Sequence, residues 1–263
     1  MSGLTTGTTY FVRAYATNSA GTSYGNEISL TTLTNSTGPT DGNAICNGSQ
    51  QTVVVPITST TGKIWMDRNL GASQVATATN DYKAYGCMYQ WGRGNDGHAS
   101  IAWTMGQDDA WANKAGTPVN GPTTTLATTD TPSNALFITI SSGIIYDWRS
   151  PKNDALWQGA NGVNNPCPSG YRVPTNAELK AEFSAYSITN ATKAFNSIFK
   201  IPLAGQRGFD NNVLSNYAVM ANLWTSTVSS NGQSYRTNIT STAVYQDVAV
   251  GRAGGYSVRC IKN

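Results

Sequence analysis

Apolar and polar positions along the 263-residue chain alternate in many short runs. Near the start, Tyr10, Val12, Ala14 and Ala16 alternate with Phe11, Arg13, Tyr15 and Thr17, the period of two that marks a strand. Asn18 to Gly21 reads as a turn, and a second strand is expected over 27–31, which makes residues 1–33 a β-hairpin. A hairpin alone is only marginally stable. It is therefore expected to dock on the rest of the chain, to pair with a second copy and form a homo-oligomer, or to belong to a larger module. Residues 34–43 have linker composition, rich in Thr, Ser, Asn, Gly and Pro. The main domain is expected over 44–263.

Short strands are expected there over 51–57 and 135–140. One helix start is explicit in the sequence. Thr175 followed by Glu178 makes a capping box, and the helix should run to Tyr186, with a second over 191–199. Residues 84–98 are rich in aromatics and glycine, and a long irregular segment follows to about Asp147. Loops of that length in a compact domain are either functional or tightly packed by their own side chains. The expected class is α+β, with few helices, short antiparallel strands and long irregular loops.

The last forty residues have a different character. From Asn211 to Gly251 only Arg236 and Asp247 carry charge, among Ser, Thr, Asn, Ala, Val and Tyr. Adaptable binding surfaces use this palette, because Tyr supplies contact area at low entropy cost and Ser, Asn and Gly supply flexible hydrogen bonds. The alternative is a solvated meander of strands. Alternation along the segment puts Arg236, Asn238 and Thr240 on one face, and Tyr235, Thr237 and Ile239 on the other.

Composition narrows the functional classes. The net charge is +3, from 17 basic and 14 acidic residues. That is too small and too scattered for a nucleic-acid or anionic-membrane partner. Only 12% of residues are charged, about half the usual share of roughly 25%, which suits secreted or particle-borne β-rich proteins. No run approaches the ~18 apolar residues needed to span a bilayer. The first residues show no signal peptide, so the chain reads as a piece of a longer protein or as one exported without such a leader.

Candidate chemistry is sparse. Cys46, Cys87, Cys167 and Cys260 have no CxxC spacing and allow three full pairings; four reduced thiols are the alternative. A Cys167–Cys260 bridge would tie the helix start to the last strand and would be worth about 4–5 kcal/mol on the chain-entropy model. With a single histidine, His98, a zinc site is not expected; His98 reads as a hydrogen-bonding loop residue. Asp108 and Asp109 form an acidic pair that could help bind calcium, with a solvated loop as the simpler alternative. Residues 92–97 lack the Lys-Ser/Thr step of a phosphate loop. No nucleophile has a base at a suggestive spacing, so neither an enzyme nor a cofactor is expected.

Six phrases stand in order along the main domain: Lys-Ile-Trp-Met-Asp-Arg-Asn-Leu-Gly-Ala (63–72), Tyr-Gln-Trp-Gly-Arg (89–93), Asn-Pro-Cys-Pro-Ser-Gly-Tyr-Arg-Val-Pro-Thr (165–175), Ile-Pro-Leu-Ala-Gly (201–205), Leu-Trp-Thr-Ser (223–226) and Ser-Val-Arg-Cys-Ile-Lys (257–262). Together they resemble the major paralogous domain of Fibrobacter succinogenes, common in Bacteroidetes. That family is similar to the C-type lectin-like fold and related to the formylglycine-generating enzyme domain. The resemblance covers about three quarters of the chain. It implies a C-type lectin-like fold with Trp91, Trp148 and Trp224 as core or loop anchors. The N-terminal hairpin, with its phrase Gly-Thr-Thr-Tyr-Phe-Val-Arg-Ala-Tyr-Ala-Thr-Asn (7–18), resembles the last two strands of the fibronectin type III-like modules of Bacteroidetes surface proteins.

Members of this lectin-like group also serve as variable proteins of diversity-generating retroelements, where adenines in Asn codons are randomised in the last sheet before a fixed end. Residues here that are reachable from an Asn codon by changing its first two bases include Val219, Ala221, Asn222, Leu223, Arg236, Asn238, Thr240, Ala243, Tyr245, Asp247, Val248, Ala249, Val250 and Gly251. Met220 and Gln246 cannot be so reached and read as scaffold. The resemblance thus implies a ligand-binding face on the C-terminal sheet, with Tyr245 and Arg236 as hot spots and an apolar centre of Val219, Leu223, Val248 and Val250. The partner would be a protein or glycan on a target cell, met by an extracellular, cell-surface or phage-borne adhesin. The alternative is a non-variable structural or adhesive module of a Bacteroidetes cell envelope.

Overall fold

The computed structural model describes residues 9–31, 43–44, 46–47, 52–104, 116–140, 146–229 and 231–263. The chain divides into two compact units, Met1–Thr37 and Gly38–Asn263. Of the expected linker, 34–43, all but Asn43 lies outside the described residues.

In the first unit, β1 (Thr9–Val12) pairs antiparallel with β4 (Ile28–Thr31), and β2 (Tyr15–Asn18) with β3 (Gly21–Tyr24). The expected hairpin is therefore two ladders in line. They are interrupted beside Ala14, whose carbonyl accepts the N–H of Gly25, and Arg13 pairs with Glu27 across the break. At the tip the Asn18 side chain accepts the N–H of Ala20, and Gly21 takes φ +138°, a conformation that side chains resist.

The second unit runs in chain order through β5 (Asn43–Ala44), β6 (Pro56–Thr58), β7 (Ile64–Met66), β8 (Tyr89–Gln90), β9 (Ile101–Trp103) and β10 (Gly116–Pro118). Then come β11 (Pro122–Thr123), β12 (Phe137–Ile138), β13 (Tyr171–Arg172), α1 (Asn176–Ala185) and α2 (Ala191–Asn196). The chain ends with β14 (Gln206–Arg207), β15 (Leu214–Ser215), β16 (Ala221–Val228), β17 (Ser234–Ile239), β18 (Val244–Val250), β19 (Gly255–Tyr256) and β20 (Ile261–Lys262). The unit is strand-rich with few helices, compatible with the expected α+β class. Its sheets are small, in the orders β10-β9-β5, β11-β12, β13-β20-β7-β6, β15-β14-β19-β8 and β16-β17-β18. Among the described residues no helix is long and apolar enough to cross a membrane.

Thr175 caps α1 as its sequence demands, with both halves of the capping box formed. Glu178 also takes a two-point contact from Arg172. Helix α2 is shorter than expected: Ser197 turns extended and Lys200 takes φ +46°, so the chain leaves the helix before Phe199. Similarly, the run expected over 51–57 enters a ladder only at Pro56.

Two buried clusters flank the β16-β17-β18 sheet. On one side Leu179 and Phe183 of α1 pack with Trp65, Phe199, Leu223, Ile239 and Ile261. On the other lie Trp91, Trp148, Trp224 and Tyr256 with Tyr89 and Val258. Strand β16 is thus enclosed on both faces. The three tryptophans are fully buried, and each indole N–H is donated to a backbone carbonyl: Trp91 to Thr225 (2.9 Å), Trp224 to Tyr89 (2.8 Å) and Trp148 to Trp91 (2.6 Å). A buried indole needs such an acceptor, and irregular segments have carbonyls that need donors.

All four cysteines are paired, Cys46 with Cys87 and Cys167 with Cys260. The second bridge joins the segment before α1 to the last strands. It spans 93 residues, which the chain-entropy model values at about 4–5 kcal/mol.

His98 is not merely a loop residue but is completely buried. Its Nε2 accepts the N–H of Gln90 (3.0 Å) and its Nδ1 donates to Asp96 (2.5 Å), so the ring is neutral. Burial lowers its pKa first; the nearby Arg93 lowers it further, and Asp96 only partly opposes them, leaving it at about 4. An unfolded histidine titrates near 6.5, so between pH 6.5 and 4 the unfolded chain binds more protons and stability falls as pH falls. Urea unfolding followed from pH 7 to pH 4 should show this loss, at most about 1.4 kcal/mol per pH unit from one group. The loss should be shallower in His98→Gln; an identical slope in that variant would assign the effect elsewhere.

Candidate functional site

The C-terminal sheet has one covered face and one open face, and its register sorts the candidate residues between them. Strand β16 pairs with β17 so that Ala221 lies opposite Ile239, Asn222 opposite Asn238, Leu223 opposite Thr237 and Trp224 opposite Arg236. Strand β17 pairs with β18 so that Asn238 lies opposite Tyr245, Arg236 opposite Val248 and Ser234 opposite Val250. Side chains on paired positions share a face. Ala221, Leu223, Thr237, Ile239 and Val244 therefore face the helices, and Asn222, Arg236, Asn238, Tyr245, Val248 and Val250 face the other way.

Opposite Thr237 the register slips by one residue, and both Gln246 and Asp247 stand there. This is a β-bulge, with Asp247 at φ +58°, a region that Asp tolerates better than most residues. The bulge turns the Asp247 carboxylate toward α1. There it accepts from Lys180 (2.6 Å) and from the Asn176 side chain. These contacts hold its pKa down, Lys180 and Asn176 outweighing a small effect of burial. Asp247 thus pins the edge strand to the helix and is turned away from the open face.

Seven further candidates lie off the open face. Ala221, Asn222 and Leu223 are at most 1% exposed, because β16 is the inner strand with packing on both sides. Leu223 therefore joins the helix-side core, and the expected apolar centre with Val219, Val248 and Val250 does not form. Gly251 lies against Tyr146: a Cβ there would stand 2.1 Å from that residue's Cβ, so the position tolerates only glycine as the backbone now runs. Thr240 and Ala243 sit in the β17–β18 turn, where the Thr240 hydroxyl donates to the carbonyl of Ala243 and accepts its N–H. Ala249 lies opposite Tyr235 on the helix side.

The open face keeps Arg236, Asn238, Tyr245, Val248 and Val250, with Val219 exposed in the turn before β16. Beneath them Asn222 acts as a buried organiser. Its Oδ1 accepts from Arg236 Nη1 and from Asn238 Nδ2 (2.9 Å), and its own Nδ2 donates to the carbonyl of Gly205 (3.1 Å). The Arg236 guanidinium lies over the Tyr256 ring, 4.8 Å from its centroid, close enough for a cation–π contact. Tyr146 and Phe209 stack edge to face at 5.2 Å beyond Gly251 and are partly exposed. Sequence reading missed Tyr146, Phe209 and Tyr256 here, because only the fold brings the two exposed rings beside the end of β18 and Tyr256 beneath Arg236.

Among the described residues no group of three His, Cys, Asp or Glu side chains could hold a metal. Asp108 and Asp109, the calcium candidates, lie outside the described residues. No family model matches the chain, and no curated protein or solved structure matches it.

Replacing Asn222 tests the organiser. Asn222→Ala removes the acceptor shared by Arg236 and Asn238 and leaves the Gly205 carbonyl without its donor. The expected loss of stability is about 1–3 kcal/mol in urea unfolding, the cost of buried unsatisfied groups. An unchanged midpoint would show that the amide network is incidental.

Proposed function

We propose that the chain is a recognition module whose ligand meets the open face of the C-terminal sheet. The observation that carries this reading is the division of labour within three strands. One face is sealed by α1 and α2, while the other presents Tyr245, 54% exposed, beside Arg236, Asn238 and two valines. A rigid frame that exposes Tyr and Arg with aliphatic neighbours has the make-up of an interface hot spot. Truncating Tyr245 should cost about 1–3 kcal/mol of affinity for whatever ligand binds there.

The resemblance of the six ordered motifs to the major paralogous domain, and through it to the C-type lectin-like fold, supports the same reading. It extends it to a surface or phage-borne adhesin diversified by a retroelement, without enzymatic activity. The exposed strands of the first unit, with Phe11, Tyr15, Tyr24 and Ile28 at their surface, would pair with a second copy.

A second reading is favoured by specific residues. Ala221, Asn222, Leu223, Asp247 and Gly251 are each fixed by packing or hydrogen bonding, and free substitution there would damage the frame. A module with a constant binding face would carry such residues without difficulty. The coding DNA separates the two readings. A near-copy of the segment encoding 214–260, beside a reverse transcriptase and differing only at adenines, is expected if the face is diversified, with differences concentrated at codons 236, 238, 245, 248 and 250. Absence of any such copy from the source genome would leave the constant module standing.

A further inference from the structure

The open face has a cation with no counter-charge among the described residues: Arg236 makes no ion pair with any of them. Among them, too, its Nε is buried without a hydrogen-bond partner, and Nη1 is engaged by Asn222. The one acid within 211–251, Asp247, is turned to the opposite side and held by Lys180. The buried arginines are well supplied by comparison. Arg93 pairs with Asp96, Arg252 with Asp147 and Asp154, and Arg207 and Arg259 donate to carbonyl oxygens.

The guanidinium is also held in place. Asn222 fixes one end and the Tyr256 ring supports its plane. A planar fork fixed in advance loses little entropy when a carboxylate meets it. We infer that Arg236 is the anchor for an acidic side chain, Asp or Glu, of a protein partner, seated between Tyr245, Val248 and Val250. This rests on the open sheet face being the recognition surface.

The surroundings favour a protein over an acidic sugar. A saccharide needs many free donors and acceptors around its hydroxyls. Here the Asn222 amide and the Asn238 Nδ2 are spent on each other, on Arg236 and on the Gly205 carbonyl. What remains beside the cation along β18 is aliphatic and aromatic: Val248, Val250 and Tyr245. Apolar contact around a desolvated charge pair is the usual composition of a protein interface centre.

The test uses the full chain, labelled with nitrogen-15, and small probes: N-acetyl-aspartate N-methylamide, its asparagine counterpart and glucuronic acid. The aspartyl probe should shift the Arg236 Nε–H resonance and the Asn238 side-chain amide, with an apparent affinity about tenfold above that of the asparagine probe, the worth of roughly 1.4 kcal/mol. Arg236→Gln should abolish the difference. Arg236→Lys, which keeps the charge but loses the fork, should reduce it several-fold. Equal responses to the aspartyl and asparaginyl probes, or a response that survives Arg236→Gln, would overturn the inference. So would a stronger response to glucuronic acid than to the aspartyl probe, which would assign the face to an acidic glycan. These outcomes are independent of the DNA test: a missing near-copy removes diversification and leaves the carboxylate response untouched, while a near-copy with no response removes this inference alone.

Discussion

Two indole N–H groups hold the C-terminal sheet to the rest of the domain. Trp224, on the inner strand, donates to the carbonyl of Tyr89, and Trp91 donates back to the carbonyl of Thr225. The exchange is reciprocal, fully buried and spans more than 130 positions of sequence. A chain with small sheets and long irregular segments has many carbonyls outside any ladder. Tryptophan meets two needs there, filling volume and supplying a donor. Trp148 extends the arrangement by donating to the Trp91 carbonyl, and Arg252 lies over the Trp91 ring while donating to Ser234 of β17. The Cys167–Cys260 bridge closes the same region covalently.

From that frame the character of the sheet follows. Its inner strand is enclosed by aromatic packing on one side and helices on the other, so every residue from Ala221 to Ser226 is buried. Burial relaxes outward across β17 and β18, where the open face begins. At the edge, Asp247 bulges toward α1 and ties the last strand down. Bulges and inward-turned charges also blunt an exposed strand edge against unwanted pairing. The face that remains is small, and its one charge is aimed by residues that never reach the surface. Packed and exposed positions are thus divided by strand and by face, with Asn222 and Tyr256 linking the two.

Local chemistry made part of this legible in advance. Thr175 and Glu178 lie three residues apart and satisfy each other's backbone, so α1 could be read directly. Trp91 and Trp224 stood within the ordered phrases, and the resemblance implied them, with Trp148, as anchors. Alternation placed Arg236 and Asn238 apart from Thr237 and Ile239 correctly, because β17 has one packed and one open face. The same rule fails on β16, which is packed on both faces and gives no period-two signal to separate Asn222 from the surface. Reachability from an Asn codon says nothing about burial, so it gathered Ala221 and Leu223 with true surface positions. Asp247 and Gly251 were opaque for another reason: their constraints come from Lys180, Asn176 and Tyr146, all far away in sequence. The shortened α2 reflects a local turn at Ser197 that helix propensity alone does not reveal.

The central claim is that the tryptophan exchange carries the sheet while the open face contributes little to its stability. Urea unfolding of two variants tests it side by side. One is Trp224→Phe, which keeps the bulk and deletes a single N–H; the other replaces Val219, Tyr245 and Val248 together with serine. Trp224→Phe should lose about 1–3 kcal/mol, the cost of an orphaned buried carbonyl. The triple variant should change by no more than about 1.5 kcal/mol, since isolated surface substitutions each shift stability by roughly 0.5 kcal/mol or less. A large loss in the triple variant with none in Trp224→Phe would mean that the face itself holds the fold together, and the division between frame and recognition surface would fail.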